Sequence, residues 1–151
     1  MQVLTHAHAL ASAVHYLHSS AIPGSVIMHR DLKPDNVGFT LDGVLKLIDF
    51  GLAKVIEGAD PEANDVYRMS GETGSLRYMA PEVASNLAYN HSADVYSFAI
   101  ILWEMTSYKK PYEGLTREAF YRRVVQGGER PAISKKWPKV LCQLMQEVRG
   151  S

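Results

Sequence analysis

His29-Arg30-Asp31-Leu32-Lys33-Pro34-Asp35-Asn36 is a polar stretch set between short apolar runs. Before it lies Val26-Ile27-Met28, and after it come Val37 to Phe39 and Val44 to Ile48, each bounded by turn residues and too short for a helix. These read as three strands. Asp42-Gly43 is a hairpin signal, so the second and third should pair antiparallel. Asp31 and Asn36 then share one loop, and Asp49 follows the hairpin, whose folding can bring all three together. Further out, Val3, Ala7, Leu10, Val14 and Leu17 recur at helical spacing and predict an amphipathic helix over 2–19, closed by a loop at Pro23-Gly24. Residues 93–107 place apolar groups all round a helix, which belongs in the middle of a domain. Two more helices are expected over 116–126 and 137–148, with Gly127-Gly128 and Pro131 between them. Residues 57–77 lack periodicity and read as a long surface loop.

Composition agrees with one folded unit. The chain has 151 residues, 16 basic and 16 acidic, with 46% hydrophobic and 21% charged residues. A neutral chain of this kind is neither a basic nucleic-acid-binding domain nor a disordered acidic tail. Cys142 is the single cysteine and cannot form an internal disulfide, which fits a reducing compartment. Ala11-Ser12-Ala13 imitates a signal-peptide cleavage site, but the first basic residue is Arg30, and His6 and His8 break the apolar run. The longest strongly apolar stretch, 98–103, falls far short of the roughly 20 residues a membrane-spanning helix needs.

The stretch 29–36 matches the fixed positions of the protein kinase catalytic loop, and Asp49-Phe50-Gly51 and Ala80-Pro81-Glu82 follow in the order that family uses. The sequence therefore resembles the eukaryotic protein kinases, over nearly its whole length but only over their C-terminal lobe. The implied fold is mainly α with a small β-hairpin, the C-terminal lobe of an α+β family fold whose N-terminal lobe is absent here. Residues 1–151 would be a partial kinase domain, with the catalytic loop at 29–36, the activation segment at 49–82 and lobe helices over 93–148. Lys33 and the segment 74–82 resemble serine/threonine kinases, and 94–98 with 111–114 has the texture of the tyrosine-kinase-like group.

Phosphoryl transfer needs a carboxylate beside the attacking hydroxyl, oxygen ligands for Mg²⁺ and positive charge on the moving phosphate. The resemblance implies Asp31 as the base or orienter, Lys33 as the cation on the γ-phosphate, and Asn36 and Asp49 as metal ligands. It implies ATP and Mg²⁺ as cofactors and a protein as substrate. Ser75 would hold the catalytic Asp and Lys through its hydroxyl. His29 would pack beneath the loop, with Asp94 bonded to the loop backbone, since a buried carboxylate requires such partners. Arg30 would receive an activation-loop phosphate placed by an upstream kinase, with Ser70 and Thr73 as the sites and Tyr67 as a weaker one. A cytoplasmic setting is implied, where ATP and reducing conditions occur, or the cytoplasmic side of a membrane if the missing N-terminal part is a receptor.

The sequence departs from the family in several places. No G-x-G-x-x-G occurs in it. That absence points to a fragment, expected to leave apolar surface uncovered on helix 93–107 and on the nucleotide face. It also keeps open a non-catalytic, pseudokinase-like binding module. Gly38 stands where the family places a large apolar residue under the adenine; either the floor is deeper or Phe39 or Ile48 fills it. Glu82 lacks its usual arginine, unless Arg149 or another basic residue substitutes. His15 and His18 are expected as solvated helix positions rather than metal ligands.

Overall fold

The structure is a computed structural model and describes residues 2–60, 62–69 and 75–149. Helix α1 (Gln2–Ser19) turns its Leu10, Val14, Leu17 and His18 inward. The chain then enters β1 (Ser25–Met28), a single 3₁₀ turn over Pro34–Asn36, and the hairpin of β2 (Val37–Phe39) and β3 (Leu45–Leu47). Val37 faces Leu47 and Phe39 faces Leu45, antiparallel as expected. The third strand is shorter than 44–48 because Val44 is spent on the turn: its N–H donates to Thr40 Oγ1 at 2.9 Å and its carbonyl accepts from Thr40 N–H.

Strand β4 (Lys54–Glu57) was not evident from the sequence and pairs antiparallel with β1, Val26 opposite Ile56. The segment expected as loop from residue 57 therefore begins as the end of a strand. It also carries an isolated bridge, Tyr67 to Tyr89, with both amides donating across it.

Helix α3 (Ser92–Ser107) follows a short α2 (Pro81–Ala84) and runs through the core. Ala99, Ile100, Ile101 and Leu102 are each at most 2% exposed, as an all-round apolar helix demands. It stops where Tyr108 takes a left-handed φ of 56° and donates to the Glu104 carbonyl. Helix α4 (Arg117–Phe120) is capped by Thr116, whose Oγ1 accepts from Ala119 N–H at 3.2 Å, and widens over Tyr121–Gln126 into a turn closed by Gly127 N–H on the Arg122 carbonyl. Helix α5 (Lys139–Arg149) begins after Pro138, two residues later than expected.

Helix α3 is covered, against the expectation that it would be exposed. Exposed apolar side chains are spread over the surface, among them Leu4, Leu87 and Val140, and include Phe39, Leu41, Val44, Ile48 and Phe50 along and after the hairpin. Among the described residues no helix is long and apolar enough to cross a membrane.

Candidate active site

The site is built on one buried carboxylate. Asp94, on the first turn of α3, is 1% exposed. Its Oδ2 accepts the His29 N–H at 2.8 Å and its Oδ1 the Arg30 N–H at 2.9 Å, while His18 Nε2 bonds Oδ2 at 2.9 Å. These contacts hold the chain as it leaves β1, where Arg30 adopts φ 69°, a left-handed conformation that a non-glycine residue keeps only when its surroundings enforce it. His29 completes the support. Its Nε2–H donates to the Ile48 carbonyl at 3.1 Å, and its ring lies 4.9 Å from that of Phe50. The histidine thus ties the 29–36 loop to the backbone just before Asp49, which has φ 61°.

Asp31 emerges from this support with both carboxylate oxygens occupied. Oδ2 accepts from Lys33 Nζ at 2.7 Å and from Asn36 Nδ2 at 3.1 Å, and Oδ1 accepts the Ser75 backbone N–H at 2.8 Å. The contact at Ser75 therefore runs through its amide, where a hydroxyl contact had been expected. The amide suffices because Ser75 has extended backbone, φ −85° and ψ 111°, which aims N–H at the loop. The hydrogen bond that Lys33 donates to Asp31 holds its ammonium above the usual lysine range; burial opposes this, and the charges of Asp31, Asp35 and Asp49 add to it. Lys33 is thus the cation among three carboxylates.

Asn36 is 4% exposed and donates through Nδ2 alone, to the Asp31 carbonyl at 2.8 Å and to its carboxylate. Among the described residues its Oδ1 accepts no hydrogen bond. Ile48 N–H donates to the Asn36 carbonyl at 3.0 Å, which places Asp49 one residue beyond the asparagine. Asp49 is exposed, and its Oδ1 accepts the Gly51 N–H at 3.3 Å. An amide oxygen and a carboxylate are hard donors, the set that Mg²⁺ takes when phosphates supply its remaining ligands. The residues present fit that ion.

Gly38 alternates with Val37 and Phe39 along β2, so its position faces away from theirs. A Cβ built on Gly38 would meet no atom within 4 Å. Phe39 stacks on His6 with ring centroids 4.7 Å apart, and Ile48 stays about half exposed. Neither side chain comes within 4 Å of a Cβ at Gly38, so the space there is open. A groove of about 480 Å³ opens between residues 75–78 and α4, lined by Asp35, Ser75, Leu76, Tyr78, Tyr112 and Phe120 among others. Tyr78 closes its base, donating to Glu104 Oε2 at 2.6 Å. Burial, then that hydrogen bond, pushes the Tyr78 phenol far above its usual range.

The Arg30 guanidinium and Glu82 are directed elsewhere. Arg30 Nε donates to Tyr89 Oη at 2.8 Å and Nη1 to the Leu52 carbonyl at 3.2 Å. Ser70 and Thr73 lie outside the described residues. Glu82, on α2, is partly buried, and burial raises its carboxyl above the usual value while Arg130 pulls it back. A backbone hydrogen bond also lowers it, and Arg130 acts through its charge alone, its guanidinium donating to the Val124 and Glu129 carbonyls.

His18 was missed. It had been expected as a solvated position, yet it is 6% exposed and bonds Asp94, 76 residues away. The signal was available: His18 lies four residues after Val14, on the same inward stripe of α1. Its being buried needs a polar partner, which only the fold reveals.

The protein kinase domain family matches residues 2–147. Similar curated proteins include the serine/threonine-protein kinase VIK of Arabidopsis thaliana, 42% identical over 130 residues, covering 84% of this chain and 28% of the relative. The serine/threonine-protein kinase STY46 of Arabidopsis thaliana is 37% identical over 139 residues, covering 92% and 22%. Mitogen-activated protein kinase kinase kinase 7 of Homo sapiens is 37% identical over 149 residues, covering 93% and 23%. The chain spans about a quarter of the length of these relatives. With its loop, hairpin and buried Asp94 arranged in this way, the chain belongs to the eukaryotic protein kinase family.

Proposed function

We propose that this chain supplies the catalytic-loop half of a serine/threonine protein kinase, residues 1–151 being the C-terminal lobe part of the kinase domain. The observation that carries the reading is Asp31, a carboxylate clamped by Lys33, Asn36 and the amide of Ser75, a residue that lines an open groove. Mg-ATP, when bound, supplies the phosphoryl group. Asp31 orients the substrate hydroxyl and holds its proton as the new P–O bond forms and the bond to ADP breaks. Lys33 keeps positive charge beside that carboxylate and the transferring phosphate, Asn36 Oδ1 and the Asp49 carboxylate hold the ion, and Gly38 leaves room for the base of the nucleotide. The groove would seat a segment of a protein substrate. Arg30 would receive a phosphate at Ser70 or Thr73 from an upstream kinase, exchanging its contacts to Tyr89 and Leu52 for charge-assisted bonds. The setting would be cytoplasmic.

One observation favours a second reading, a non-catalytic binding module: the apolar side chains exposed on the hairpin. A thermal-shift measurement on the full-length protein separates the two. Mg-ATP should raise Tm, by about 3 kcal/mol of stabilisation at a hundredfold excess over Kd. Asp49→Asn should remove that shift, and Asp31→Asn should keep the shift but abolish phosphoryl transfer. No shift in the wild type would leave the binding module as the function.

A further inference from the structure

A second cavity, of about 380 Å³, lies beside α1 and the start of α3. Its walls include His15 and His18 of α1, His91 just before α3, Glu62 of the preceding loop, Phe98 of α3 and Leu144 of α5. Three imidazoles around one cavity are not explained by phosphoryl transfer. Nor do they form a metal site, since among the described residues no group of three His, Cys, Asp or Glu is placed to hold an ion.

The geometry links the cavity to the catalytic loop. The His91 ring stands edge-on to that of His18, centroids 5.0 Å apart. His18 bonds Asp94 Oδ2 at 2.9 Å, and the same oxygen accepts the His29 N–H. Two side chains therefore separate a partly buried imidazole from the backbone that carries Asp31. We infer that His91 is a proton sensor for the catalytic loop, its protonation weakening the hold of Asp94 on His29 and Arg30.

The charges facing His91 act in opposite senses. His18 on α1 repels a proton there, and Asp94 on α3 and Glu62 on the loop attract one; His15 is an exposed imidazole at the cavity mouth, and α5 contributes the uncharged Leu144. Burial is the largest influence, followed by His18, and together they lower His91 from the ordinary imidazole value of 6.5. The start of a 16-residue helix is also an unfavourable place for a cation. Once protonated, His91 draws on the Asp94 carboxylate and competes with the two loop amides for it. A base whose folded value is depressed contributes stability that is present above 6.5 and is lost as pH falls through the folded value. Acid therefore loosens the loop, and near-neutral pH tightens it.

An NMR titration of the full chain from about pH 8 to about pH 5 tests this without any need for activity, so it stands or falls apart from the kinase reading. The His91 imidazole should titrate below 6.5, and the His29 and Arg30 amides should move with the same midpoint. In His91→Asn that movement should vanish, while in His15→Gln it should persist. The wild-type titration decides even if a variant fails to fold. An ordinary His91 midpoint, loop amides that ignore it, or an amide titration that survives in His91→Asn would each overturn the inference.

Discussion

At the scale of single residues, the site depends on backbone donors as much as on side chains. Asp94 is served by two consecutive loop amides and Asp31 by the Ser75 amide. This gives Ser75 a testable character. Ser75→Ala leaves the N–H to Asp31 Oδ1 in place and should change phosphoryl transfer by less than about twofold. Ser75→Pro fits the local φ of −85° but has no N–H, and a lost hydrogen bond to a charged group should lower kcat at least about tenfold. Steady-state kinetics on a peptide substrate measures both. A large loss in the alanine variant would show that the hydroxyl does the positioning. Sequence order exposed Asp31, Lys33, Asn36 and Asp49 because their spacing is local. It could not expose an amide donor, which every residue but proline carries.

At the scale of elements, periodicity was sufficient wherever one face alone met the core. Helix α1 runs over the residues its apolar spacing indicates, and Asp42-Gly43 set the register of β2 on β3. Strand β4 was hidden for two reasons. Lys54-Val55-Ile56-Glu57 does not alternate, and its partner β1 lies on the other side of the whole catalytic loop and hairpin. Helix α5 began late because the ring of Pro138 disfavours helical backbone at the residue before it, Trp137, while the Pro138 carbonyl accepts the first helical bond, from Cys142 N–H. The hairpin also carries the departure at Gly38, where a side chain would meet nothing within 4 Å. Gly38→Leu should therefore leave stability unchanged or raise it by about 0.5 kcal/mol, since glycine weakens a strand. It should tighten ATP binding about tenfold by covering the base with apolar surface. Calorimetric titration of the full-length protein with ATP reads the affinity; an unchanged value would mean that the nucleotide base does not rest on this strand.

At the scale of the whole molecule, two faces are placed around α3, and they differ in how they are finished. Toward the groove, polar groups are paired: Tyr78 with Glu104, Lys110 with Glu104, and Arg77 with the Pro111 carbonyl. Along the hairpin, Leu41 is fully exposed and Phe39, Val44, Ile48 and Phe50 are about half exposed, with Lys46 the charged side chain of β3 between them. A single lysine interrupts such a strand edge without covering the apolar groups around it. The 151-residue chain by itself should accordingly bind an apolar fluorescent dye and self-associate at micromolar concentration. Leu41→Lys combined with Val44→Lys should reduce both, because each site is exposed and neither belongs to the buried core. Light scattering and dye fluorescence at matched concentrations make the comparison. If the unsubstituted chain is monodisperse and leaves the dye dark, the hairpin residues are too dispersed to act as one surface. The binding-module reading then loses the observation that favoured it, and catalysis by Asp31 stands alone.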